Sequence, residues 1–127
     1  LVQRMAAPGT EIVLGLSRDP VFGPIVMVGL GGIFVEVLKD VAFGRAPIDV
    51  ALAHDMLGRL AGRAILDGAR GKPAVDRDAL ARAIVAISDL ALAHPEICEL
   101  DVNPVLAGPD GVLAVDWLMR RTAAPRG

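Results

Sequence analysis

Short apolar runs broken by Gly, Pro or Asp fill the first part of the chain, and a helical period replaces them afterwards. Runs rich in Val, Ile, Leu and Phe predict strands over Val2–Met5, Glu11–Ser17, Pro24–Leu30 and Ile33–Ala46. Pro8-Gly9, Asp19-Pro20 and Gly31-Gly32 mark the turns, where proline fixes φ or glycine supplies positive φ. Connections this short cannot make the crossover that a parallel pair needs, so the pairing is expected to be antiparallel. From Asp49 onward, Val50, Ala53, Leu57 and Leu60 share one helical face that breaks at Gly62, and a shorter helix or turn is expected over Arg63–Gly68. Asp76 is a good N-cap for the clearest helix, which runs to about Ala93 with Leu80, Ile84, Ile87 and Ala91 on one stripe. His94-Pro95 ends it, because the residue before proline is pushed out of the α region. Strands over Glu99–Leu106 and Val112–Leu118 follow, joined through Gly108-Pro109-Asp110-Gly111. The expected fold class is α+β, a mostly antiparallel sheet with helices packed on one face.

Composition narrows the picture. The 127 residues make one domain, 1–127. Hydrophobic residues are 54%, yet Glu11, Arg18, Glu36, Lys39 and Asp40 interrupt the apolar segments before any reaches the roughly 18–20 residues of a bilayer span. A membrane partner is therefore not expected. A net charge of −2 with both signs mixed excludes the basic footprint of a nucleic-acid binder. The single cysteine, Cys98, has no partner for a disulfide and no zinc motif, which suits a reducing cytoplasm and a buried structural thiol. The amino end reads as the inside of a strand rather than a start or a signal peptide, so the chain is expected to be a piece of a longer protein whose apolar surface faces the rest.

Candidate chemistry concentrates near the carboxy end. Along Glu99-Leu100-Asp101-Val102-Asn103-Pro104, strand alternation puts Glu99, Asp101 and Asn103 on one face. A hairpin centred between Pro109 and Asp110 pairs residue 106 with 113, 105 with 114 and 103 with 116, making Asn103 and Asp116 neighbours on one face. A one-residue slip would undo this. An amide oxygen beside a carboxylate is hard-oxygen chemistry suited to Mg²⁺, which takes one or two protein ligands and completes its shell with water and phosphate oxygens. Spacing alone is equally met by ordinary polar groups around a turn.

Glu99-Leu100-Asp101-Val102-Asn103-Pro104, a hairpin, and then Val115-Asp116 resembles the metal-binding strand pair of the nucleoside-diphosphate-forming acyl-CoA synthetases and the related succinyl-CoA synthetase β subunits. The segment SRDPVFGPIVMVGLGGIFVEVLKDV, residues 17–41, is similar to the ADP-forming group more narrowly. The resemblance implies the carboxy-terminal half of an ATP-grasp domain, with Mg²⁺ and ATP or ADP as cofactors and Asn103 and Asp116 as metal ligands. It places Gln3 and Ala6 on the hinge strand beside the adenine, Gln3 standing where succinyl-CoA synthetases have an acidic residue, and Glu11 on the nucleotide. Asp101 is implied as the carboxylate that meets a phosphohistidine carried by another domain; the surroundings of His54 and His94 do not resemble that histidine's. The implied reaction interconverts acyl-CoA, ADP and phosphate with acid, CoA and ATP. The implied partners are an amino-terminal ATP-grasp half and CoA-binding and phosphohistidine domains, without which the chain should not turn over. Oligomerisation is left open. A regulatory, synthetase-like module of a protein acetyltransferase is the alternative. Gly31-Gly32 reads as a turn, since no Walker lysine follows. Arg18 and Lys39 are read as solvated charges or as groups facing phosphate or CoA.

Overall fold

The structure, a computed structural model, describes residues 9–31, 39–68 and 73–122. Its elements in chain order are β1 (Thr10–Asp19), β2 (Gly23–Leu30), β3 (Val41–Arg45), α1 (Val50–Gly58), a 3₁₀ turn (Arg63–Asp67), α2 (Arg77–Ala93), β4 (Ile97–Gly108), β5 (Gly111–Ala114) and β6 (Trp117–Arg121). Among the described residues the strands form one six-stranded sheet in the order β3-β2-β1-β4-β5, with β6 also on β4. Every pairing among the described strands is antiparallel. The fold is the expected α+β class.

Local chemistry explains the corners. Asp19 Oδ1 accepts the amides of Val21 and Phe22 at 2.8 and 2.9 Å, and Gly23 takes a φ of 77°, so the chain reverses between β1 and β2. Both helix starts are capped, the second by Asp76 as the sequence reading required. Asp49 accepts from Leu52 N at 2.8 Å, and Asp76 from Ala79 N at 3.0 Å. Both helices belong to a single core built on one face of the sheet. Ile12, Leu14 and Leu16 of β1, Val26 and Val28 of β2, and Leu100 and Val102 of β4 are buried with Met56 and Leu57 of α1 and Leu80, Ile84 and Ile87 of α2. Fully buried side chains such as Leu80 and Ile84 stabilise by about 1.5–3 kcal/mol each.

Three sequence expectations change and one is not reached by the described residues. Val2–Met5 lies outside the described residues, as does the front of the strand expected over Ile33–Ala46. The described part of that run is a strand only from Val41. Lys39 has a φ of 55°, and the Asp40 carboxylate turns away to accept Ala61 N at 2.7 Å and Gly62 N at 2.8 Å. The last strand is split into β5 and β6 by a break at residues 115–116. Cys98 is half-buried rather than buried, and its thiol donates to the Arg120 carbonyl at 3.3 Å.

Candidate functional site

The sheet face opposite the helices carries the polar groups singled out in the sequence. On β4, Glu99, Asp101 and Asn103 are exposed while Leu100 and Val102 between them are buried, as strand alternation demands. Asp101 lies opposite Gly15 of β1 on one side and Leu118 of β6 on the other. Glu11, also exposed, is on β1 opposite Leu106. Gln3 and Ala6 lie outside the described residues.

The hairpin register follows from its turn. Gly108 faces Gly111 across Pro109-Asp110, with Gly111 at a φ of 127°, and Leu106 pairs with Leu113 and Val105 with Ala114. Beyond the break the same register resumes: Val102 pairs with Trp117 and Asp101 with Leu118. In the break itself, the Asn103 amide donates to the Asp116 carbonyl at 3.1 Å and the Val115 amide to the Pro104 carbonyl at 3.0 Å. Asn103 and Asp116 therefore face each other across the ladder. Asp116 also stands two residues before Leu118, the partner of Asp101, which by alternation gives it the polar face. Its Oδ1 accepts its neighbour's amide, Trp117 N, at 2.9 Å.

Sequence reasoning missed a β-bulge at this point. Ile12 pairs with Val105 but Leu14 with Val102, so Asn103 and Pro104 together oppose Val13 alone. The bulge switches the buried positions of β4 from Leu100 and Val102 to Val105 and Ala107, and keeps both halves of the strand on the core. The available signal was Pro104, which has no N–H for a ladder and is confined to edges and bulges. Its peptide bond to Asn103 is cis. The bulge aims Asn103 away from the core beside Asp116, and strand spacings put the Glu11 and Asn103 α-carbons roughly 8 Å apart on the same face.

The donors gathered here, an amide oxygen and carboxylates, are hard oxygens of the kind Mg²⁺ prefers. Among the described residues no three His, Cys, Asp or Glu side chains come together to hold a metal by themselves. The two cations considered in the sequence take other positions. Arg18 is on the helix side of the sheet, where Nε donates to Ile97 O at 2.6 Å and Nη2 to Ala91 O and His94 O at 2.9 and 3.0 Å. It is therefore half-buried on carbonyl partners rather than a freely solvated charge, and it is not on the polar face. Lys39 sits in the exposed, positive-φ turn before β3. His54 meets Asp78 at 2.9 Å and His94 meets Glu96 at 3.1 Å, both away from this face.

A family model of the ATP-grasp domain matches residues 1–120. The chain belongs to the ATP-grasp family. Among its relatives, the β subunit of an ADP-forming acetate–CoA ligase I from Pyrococcus furiosus is 50% identical over 119 residues, which cover 94% of this chain and 51% of that subunit. An ADP-forming acetate–CoA ligase I from Archaeoglobus fulgidus is 46% identical over 119 residues, 94% of this chain and 17% of that protein. The chain thus spans about half of one relative and a sixth of the other. In three dimensions it is similar to a dinucleotide-forming acetyl-coenzyme A synthetase 1 from Ca. Korarchaeum cryptofilum, solved with coenzyme A and Mg-AMPPCP and with its phosphohistidine segment pointing towards the nucleotide-binding site. The TM-score is 0.86 at 41% identity, covering 92% of this chain and 55% of that one. No helix among the described residues of the ATP-grasp chain is long and apolar enough to cross a membrane.

Proposed function

We propose that this chain is the carboxy-terminal half of the ATP-grasp domain of an ADP-forming acyl-CoA ligase and forms the Mg·nucleotide side of its site. The observation that carries the reading is the ladder contact between Asn103 and Asp116, on the face that also bears Glu11 and Asp101. Asn103 and Asp116 would hold Mg²⁺. Bound there, the ion supplies charge neutralisation for the phosphate oxygens of ATP or ADP. Glu11 contacts the nucleotide from β1. Asp101, one alternation step along β4 from Asn103, accepts a hydrogen bond from the phosphohistidine delivered by another domain. Gln3 and Ala6 border the adenine.

The open face supports this division of labour. On the same face, Leu118 of β6 beside Asp101 and Phe43 of β3, three strands away, are 66% and 53% exposed, as expected of a surface that closes against further protein and excludes water from phosphoryl transfer. The missing amino-terminal half and the CoA-binding and phosphohistidine domains complete the enzyme.

Asp116→Asn in the full-length protein tests the proposal. It keeps side-chain volume and removes one ligating charge from an exposed position, so ligase turnover falls by about 10²-fold or more and the Mg²⁺ requirement rises, while the melting temperature stays put. Unchanged turnover with unchanged Mg²⁺ dependence would remove the site assignment.

A further inference from the structure

Gly31 continues the β1–β2 register by one step: Ile12 lies opposite Leu30, so Gly31 lies opposite Glu11. Its amide donates to the Glu11 carbonyl at 2.7 Å. A Cβ on Gly31 would stand 2.8 Å from the Glu11 Cβ and 3.1 Å from the Glu11 carbonyl carbon and oxygen. Opposed antiparallel residues normally keep their Cβ atoms about 4.5–5.5 Å apart. The atoms that would have to yield are Glu11 backbone and Cβ, not the end of a flexible side chain. Gly31 is buried, so an added side chain has no solvent to turn into.

From this close approach we infer that Gly31 is a positioning residue for Glu11: its bare α-carbon lets the strands close and fixes where the Glu11 carboxylate stands on the polar face. The inference rests on Glu11 contacting the nucleotide. Gly31 itself touches no substrate and acts only through its neighbour. Gly31 does not have the positive φ of Gly23 or Gly111, which separates this role from that of a turn glycine.

Four variants of the full-length protein test it: Glu11→Ala, Gly31→Ala, the two combined, and the exchange Glu11→Gly with Gly31→Glu. Steady-state kinetics with Mg·ATP provide the readout. Glu11→Ala raises KM for ATP by about 10-fold or more, the size of a lost hydrogen bond to a charged group. Gly31→Ala raises it to a similar extent with little change in kcat, and adds nothing further in the Glu11→Ala background, although the added methyl still crowds the strands there. The exchange variant keeps a single Cβ at the contact and leaves the exposed space given up by Glu11 to the new side chain, and circular dichroism checks that it and Gly31→Ala are folded. Its carboxylate projects from the wrong strand, and its KM stays as high as that of Glu11→Ala. A normal KM in Gly31→Ala or in the exchange variant, or a Gly31→Ala effect that persists undiminished without the Glu11 carboxylate, overturns the positioning role. A normal KM in Glu11→Ala instead overturns the reading of Glu11 itself.

Discussion

Replacing Arg18 isolates an interaction that joins three elements. Its guanidinium binds the carbonyls of Ala91 and His94, at the end of α2, and of Ile97, where β4 begins, all from the β1 side. The Ala91 carbonyl in the last turn lacks an intrahelical partner, the C-cap His94 carbonyl also accepts Ile97 N at 3.1 Å, and both lie at the negative end of the helix dipole, which the cation neutralises. A hydrogen bond from a charged donor is worth about 1.5–3 kcal/mol, and the bonds to Ile97 and Ala91 are partly buried while that to His94 is exposed and replaceable by water. Arg18→Ala should therefore lower stability by about 2–4 kcal/mol. At this chain length that is roughly 8–15 °C in melting temperature. Arg18→Lys recovers less than half, because an ammonium cannot span three carbonyls set out for a planar fork. Urea unfolding of the chain with an unchanged m-value measures the difference. A loss under about 0.5 kcal/mol, the range of ordinary surface substitutions, would show the side chain to be solvated and refute the reasoning.

Two further substitutions or titrations probe the frame. Asp40→Ala leaves the Ala61 and Gly62 amides without their acceptor and should cost about 1–3 kcal/mol, with Asp40→Asn intermediate; equal stability of all three proteins in urea would contradict this. The amides of Phe22 and then Val21 hold the exposed Asp19 carboxyl below the ordinary aspartate range. A depressed folded-state pKa means that its stabilisation is complete above the ordinary value and is lost as pH falls through the folded one. Carboxyl NMR should accordingly give Asp19 a midpoint below that of an unstructured aspartate, and a midpoint at or above it would dismiss the turn as a cause.

What the sequence disclosed depended on whether the signal was local. Asp76 announces a helix start because capping is settled within three residues, and it acts as written. Gly108-Pro109-Asp110-Gly111 fixes the hairpin register because strand pairing propagates rigidly from a tight turn. Asp40 and Lys39 looked like part of a long apolar strand, since nothing nearby in sequence shows that Asp40 is spent on amides 21 and 22 residues away. Arg18 was opaque for the same reason: its carbonyl partners lie 73 to 79 residues on. In the candidate site, alternation alone separated Asp101 and Asn103 from the buried Leu100 and Val102. The bulge that preserves core contact past Asn103 needed the β1 partner strand to be seen.

The central claim concerns where the divalent ion sits, and a crystal structure of the full-length protein with Mg²⁺ and a non-hydrolysable ATP analogue tests it most directly. The account predicts the ion bound by the Asn103 amide oxygen and the Asp116 carboxylate, with nucleotide phosphate oxygens in the remaining positions and Glu11 against the nucleotide. Density for the ion and phosphates away from the Asn103–Asp116 pair, with both side chains in water, would contradict it.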